Sequence, residues 1–315
     1  MLITTHLVKG FDIGLNNNLY GGRMLDWIDE SGALFTRELF PKEKFVTLKI
    51  AETIFHHPVK LNDVIKFFVV EPCGGKTSLS FKIVVKRNED VVLTTDMVFV
   101  CVSNEGNKKT YNPYNLDCNI FKEITFNRAK RFYNNNNSYH NIDHIIDLLG
   151  QLDRIKLTRM EYNILCSAIC YHDCIYIPGA EENEADSADV MIDNICPCKE
   201  TEMSAEIISS TSIFSKFRIQ SNIGDKKYCA MLQKLSDIMH DLDYSYFLDY
   251  EKLYISDEKI RNEYLTFIPK DKFDLGRRDF LIKLLDVDIY RSIYKNENNK
   301  AKDNITKLLN EKYKD

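Results

Sequence analysis

"NEGNKKTYNPYN", residues 104 to 115, is polar, turn-rich and interrupted by Pro113, and the chain on its two sides follows two different periods. Before it, "FKIVVK" at 81 to 86 alternates Phe81, Ile83 and Val85 with Lys82, Val84 and Lys86, and "VVLTTDMVFVCV" at 91 to 102 continues with β-branched and aromatic residues. A period of two is that of a strand, and strands are expected from about Thr47 to Val102. After it, Ile142, Ile145, Ile146, Leu149 and Leu152 share one face at a spacing of 3.6 residues, as do Leu165, Ala168, Ile169 and His172, and Leu232, Leu235, Met239 and Leu242. The change of period predicts a boundary near residue 113, with an α+β domain over 1 to 112 and an all-helical domain over 113 to 315.

In the first part the turn signals "LND" at 61 to 63, "PCGG" at 72 to 75 and "RNED" at 87 to 90 are short, which favours antiparallel neighbours over crossover helices. One helix candidate precedes the strands, "GGRMLDWIDESGALFTREL" at 21 to 39, where Met24, Leu25, Trp27, Ile28, Leu34 and Phe35 cover much of the circumference. A helix apolar on most faces is a buried one. The expectation is an antiparallel sheet wrapped around a central helix.

The length of 315 residues suits two domains, and 44% hydrophobic with 28% charged residues suits a folded chain. A net charge of −5 without a Lys/Arg block argues against a nucleic-acid polymer as partner. No apolar run reaches the roughly 20 residues of a membrane span, the opening "MLITTHLVKGFDIG" lacks a signal-peptide pattern, and nine cysteines form an odd set of free thiols. These features predict a cytoplasmic protein.

"SYHNIDHI" at 138 to 145 sets His140 and His144 four apart, a helical spacing that points both imidazoles the same way. His172 stands on an apolar face with Asp173 beside it, and "MHDLDYSYF" at 239 to 247 brings Asp241 and Asp243 to the end of another apolar helix. Three helices thus carry ligand-type residues at one end of an apolar face, and a buried charge must be paired or bound to metal. Cys166, Cys170 and Cys174 could be read with His172 as a metal face, but buried free cysteines account for them without one.

"YHNIDHI", "YHDCIYIPG", "NEADSA" at 183 to 188, "HDLDYS" and "IRNEY" at 260 to 264 together resemble the signature series of the HD superfamily of predicted metal-dependent phosphohydrolases, over nearly all of residues 115 to 290. The resemblance implies that His144, His172, Asp173 and Asp243 hold a divalent ion, with Asp241 the alternative for the last. By analogy with the distantly related cyclic nucleotide phosphodiesterases it also implies that His140 is a general acid toward the leaving oxygen. Such an ion, whether Mn, Fe, Co, Ni or Mg, polarises a phosphoryl oxygen and lowers the pKa of bound water. The substrate class implied is a phosphorylated small molecule. Glu184, Lys130 and Arg131 are candidates to orient it.

"GGKTS" at 74 to 78 is not a phosphate loop, because Val70 stands where that motif needs Gly and strand residues follow it; a hairpin turn is expected. "LYGGRMLDWIDESGAL", "FVTLKIAETIFHHPVKLNDVI" and "GGKTSLSFKIVV" resemble the hot-dog fold acyl-CoA thioesterases, from about Asp12 to Ser103. The resemblance implies a helix inside the sheet, paired subunits and acyl-CoA bound between them. It places Gly21 and Gly22 at a helix N-terminus, where free N–H groups stabilise an oxyanion. It makes Asp29, seven residues after Gly22, the catalytic carboxylate, as general base or nucleophile. Lys76, Thr77 and Ser78 would lie near the CoA phosphates. The family's Asn position is occupied by Gly14, with Asn16 or Asn17 as substitutes.

The combined expectation is a bifunctional hydrolase, thioesterase and phosphohydrolase, assembled as a dimer or trimer of dimers. The alternative keeps the hot-dog domain as a non-catalytic CoA-binding regulator or an oligomerisation scaffold.

Overall fold

In the computed structural model, which describes residues 1–134, 136–211 and 226–314, the chain divides into two units: Met1–Arg128 with Asn194–Pro197, and Ala129–Asp193 with Cys198–Asp315. The first unit carries β1 (Leu2–Leu7), α1 (Gly21–Leu39), β2 (Lys44–Phe55), β3 (Val64–Gly74), β4 (Ser78–Arg87) and β5 (Asp90–Val102). The strands form one sheet in the order β1-β3-β4-β5-β2, and every neighbouring pair is antiparallel. Strand β4 shows the expected alternation, with Leu79, Phe81, Ile83 and Val85 buried. Two of the expected turns lie where the sequence signals them. Arg87 pairs with Asp90 across a reversal in which Asn88 has φ 53°, and Gly75 donates its N–H to Ser78 O at 2.8 Å. The "PCGG" signal begins inside β3 instead, where Glu71 at φ 53° and a register break between Val70 and Cys73 mark a bulge.

Helix α1 buries Met24, Trp27, Ile28, Ser31, Gly32, Phe35 and Thr36, a single stripe of 3.6-residue period. Phe35 meets Phe81 edge-on at 4.9 Å, and Phe81 stacks with Phe99 at 5.6 Å, joining the helix to β4 and β5. Leu25 and Leu34 are 39% and 44% exposed, so the helix is amphipathic in the single chain and not buried all round as its composition suggested.

The first unit continues past the polar linker. Helix α2 (Cys118–Ala129) packs with the sheet: Asn127 Nδ2 donates to Pro72 O at 2.9 Å, and a Cβ on Gly74 would lie 2.6 Å from Ile124 Cγ2. The expected division at 112 and the compact units therefore differ in where α2 goes.

The second unit holds α3 (Ile142–Leu152), α4 (Arg159–Tyr171), α5 (Asn183–Asn194), α6 (Lys199–Ser209), α7 (Lys226–Asp243), α8 (Tyr250–Tyr264), α9 (Lys270–Leu285) and α10 (Asn298–Lys312). Helix α4 is its centre, with every residue from Tyr162 to Tyr171 buried. Thr158 and Glu161 cap its start reciprocally. A second core gathers Phe247, Leu253, Leu281, Leu284, Tyr290 and Leu308. Among the described residues no helix is long and apolar enough to cross a membrane.

Candidate functional sites

Three helix ends meet in the second unit. Asn141 caps α3, its side chain accepting from the N–H groups of Asp143 and His144, and so fixes His144 in the first turn. His172 and Asp173 follow the last turn of α4, and Asp243 is the last residue of α7. One ligand atom from each of His144, His172, Asp173 and Asp243 lies within 4.8 Å of every other. His144 Nε2 is 3.1 Å from Asp243 Oδ1 and 3.7 Å from Asp173 Oδ2, while His172 Nε2 is 2.9 Å from Asp173 Oδ2 and 3.5 Å from Asp243 Oδ1. Adjacent ligands around an ion bonded at about 2.1 Å are roughly 3.0 to 3.4 Å apart, so the spacing suits one cation.

The donor chemistry agrees. His172 donates from Nδ1 to Ile169 O at 3.0 Å, which leaves Nε2 as a lone pair, and that buried atom has no hydrogen-bond partner. It faces carboxylate oxygens that are acceptors as well. Two carboxylates also stand at the C-terminal, negative ends of α4 and α7. Either a proton or a metal ion must offset this charge. Burial pushes the Asp243 carboxyl up, but the hydrogen bond with His144 and the adjacent His172 imidazole outweigh it and hold the group far below the usual range. Burial lowers the His172 pKa, but Asp173 and Asp243 raise it well above the ordinary value, the direction expected where two carboxylates face an imidazole. The residues fit a divalent metal.

Asp241, the alternative fourth ligand, is buried but turned away: it accepts N–H bonds from Arg291, Ser292 and Tyr294 at 2.7, 2.8 and 3.0 Å. It ties down the segment after α9. Adjacent to the cluster lies a cleft of about 350 Å³ lined by Asp173, Asp243, His140, Glu184 and several tyrosines. Lys130 and Arg131 do not line it. His140 stacks on Tyr176 at 3.5 Å and pairs through Nδ1 with Glu263 Oε2 at 2.7 Å. Glu263 Oε1 accepts the N–H groups of Tyr139 and His140 at 2.5 and 2.8 Å. Burial pushes the Glu263 carboxyl up, but His140 and these N–H groups hold it below the usual range. Glu263 lies in "IRNEY", more than a hundred residues from His140, so no spacing along the chain signals the pairing.

In the first unit Gly21 opens α1 and lines a pocket of about 460 Å³ with Asn18, Met24, Phe55, His57 and Val59. A Cβ on Gly22 would lie 2.5 Å from the Tyr20 ring. Asp29 is half-buried, and its Oδ1 accepts a hydrogen bond from Thr47 Oγ1 of β2 at 2.6 Å. It does not line the Gly21 pocket. Gly22 and Asp29 are about 10 Å apart along the helix axis, so one copy does not bring them to one atom. Lys76, Thr77 and Ser78 sit at the β3–β4 reversal. Gly14 is half-buried with its N–H on Asn18 O, and Asn16 and Asn17 are exposed.

No protein-family model matches the chain, and no curated protein matches it. Among solved structures it is similar to a hexameric thioesterase from Yersinia pestis, at 21% identity over 35% of this chain and 93% of that one, with a TM-score of 0.33. It is also similar to a hexameric hotdog fold thioesterase of Campylobacter jejuni, at 26% identity over 35% and 90% with a TM-score of 0.32. A third likeness is an acyl-CoA hydrolase from Staphylococcus aureus in complex with butyryl coenzyme A, coenzyme A and coenzyme A disulfide, at 20% identity over 34% and 68% with a TM-score of 0.32.

Proposed function

We propose that the chain is a bifunctional hydrolase, with metal-dependent phosphoester hydrolysis in the helical unit and acyl-CoA thioester hydrolysis in the sheet unit. One observation carries the first activity: the convergence of His144, His172, Asp173 and Asp243 beside a cleft that also receives His140. These four would hold a divalent ion, which supplies Lewis acidity toward a phosphoryl oxygen. His140 donates a proton to the leaving oxygen. Glu263 fixes the His140 ring by accepting from Nδ1, so that Nε2 is the atom that meets substrate. Tyr139 and Tyr176 wall the cleft and restrict water. The test is elemental analysis with hydrolysis of phenyl phosphate and of bis(4-nitrophenyl) phosphate. The wild-type protein is expected to hold about one equivalent of divalent metal and to turn over one ester class, and His144→Ala to lose both. Full metal occupancy in His144→Ala rejects this reading.

A specific contact favours the second activity, the Thr47 hydroxyl that holds Asp29 against β2 at 2.6 Å. Asp29 acts on water or on the thioester directly, and the free N–H groups at Gly21 and Gly22 receive the developing oxyanion. Because the two features are too far apart in one copy, the reading requires a second copy to present its own Asp29, and so a homo-oligomer. Acyl-CoA hydrolysis followed by thioester absorbance should fall at least about a hundredfold in Asp29→Ala. Unchanged turnover removes Asp29 from the mechanism, and no turnover on any acyl-CoA leaves the unit as a CoA-binding regulator or a scaffold.

A further inference from the structure

The same cleft is also lined by cationic residues of α9. Lys272, Phe273, Gly276, Arg277 and Phe280 all line it, a spacing that places them on one helix face. The Arg277 side chain is 9% exposed, and its Nε donates to Asp257 Oδ1 at 2.9 Å. Asp257 is fully buried, and its other oxygen is taken by Lys312 at 3.1 Å and the Tyr313 hydroxyl at 2.8 Å. The carboxylate therefore grips the guanidinium by one nitrogen and cannot close the usual two-point fork. Arg277 Nη2 is left buried with no hydrogen-bond partner. An orphaned charged donor beside a cleft needs an explanation, since a buried donor without an acceptor is destabilising.

Gly276 stands beside it. A Cβ added there meets nothing within 4 Å, so the space above this turn of α9 is open, with the exposed Lys272 on the same face. We propose that Lys272, Gly276 and Arg277 form a subsite in this cleft for a second anionic group of the substrate. The inference rests on the phosphoester reading and narrows it: the substrate is a phosphoester whose apolar or planar body lies along Phe273 and Tyr246 and carries a further phosphate or carboxylate. The pinned guanidinium supplies direction and Lys272 supplies charge.

The test compares phenyl phosphate with 4-carboxyphenyl phosphate, which differ only in the second anion, on the metal-loaded full chain. A preference of about tenfold or more in kcat/KM for the carboxylated ester, expressed in KM, is expected. The ratio should fall toward one in Lys272→Ala and in Arg277→Gln, and Gly276→Leu, which fills the open space, should do the same. Lys272 is exposed, so its variant keeps the test intact if the buried Arg277 change impairs folding. The same esters are titrated by calorimetry. A tenfold ratio of affinities that Lys272→Ala abolishes supports the subsite even if neither ester is hydrolysed, in which case hydrolysis alone is rejected. Equal affinities, binding of neither ester, or a ratio that survives Lys272→Ala overturn the inference.

Discussion

Glu263 commits both carboxylate oxygens to one short segment, Oε1 to the N–H groups of Tyr139 and His140 and Oε2 to the His140 ring. It holds the imidazole through Nδ1 and is not one of the four proposed metal ligands. Glu263→Gln keeps the shape but removes the charge, and kcat toward a phosphoester should fall about tenfold to a hundredfold while metal content stays at the wild-type level. Loss of metal in that variant would mean that Glu263 supports the whole site and not His140 alone. Asp241 and Asp243 make the complementary point. They are two residues apart at the end of α7, yet one anchors three backbone N–H groups and the other faces two imidazoles.

At the scale of the element, two glycines in helices predict opposite outcomes for the same substitution. A Cβ on Gly32 of α1 would lie 2.6 and 2.8 Å from the Phe99 ring and 3.2 Å from Met97 Sδ, both buried in β5. Gly32→Ala should lower stability by about 1 to 3 kcal/mol in urea unfolding, because the helix must move off the sheet. Gly150 of α3 is exposed and an added Cβ meets nothing within 4 Å. Gly150→Ala should raise stability by about 0.5 to 1 kcal/mol through helix propensity alone. A stabilising Gly32→Ala would show that α1 does not approach β5 this closely. The elements were legible because period is a local property: β4 and β5, α3, α4 and α7 all lie where alternation or 3.6-residue spacing places them. What misled was composition without partners. Helix α1 has apolar residues around much of its circumference and leaves Leu25 and Leu34 exposed, whereas α4 is the helix buried on all sides.

For the whole molecule, stability should depend on pH through a histidine outside the proposed ligand set. His240 is buried, donates Nε2 to Ile289 O at 2.9 Å and has no partner for Nδ1. Burial and then the nearby Arg291 lower its pKa from 6.5 to about 4. The folded state binds the proton less readily than the unfolded chain, so stability from this group is present above pH 6.5 and is lost as pH falls toward 4. The loss amounts to ~3 kcal/mol at most. Thermal unfolding between pH 7 and 4 should therefore show a slope that His240→Gln flattens, and an unchanged slope would remove His240 from the account.

The sequence by itself determined the two classes of secondary structure, the change between them after residue 102, and the residue types that gather at the histidine–aspartate cluster. Each depends on spacing along a few turns or on short motifs. Only the tertiary structure decided that Asp243 and not Asp241 joins the cluster, that Glu263 holds His140, that α2 packs with the sheet, and that Arg277 is left with an unpaired nitrogen. Those outcomes depend on which helix ends meet and on how far a buried side chain can reach, and contacts between residues a hundred positions apart leave no period in the chain.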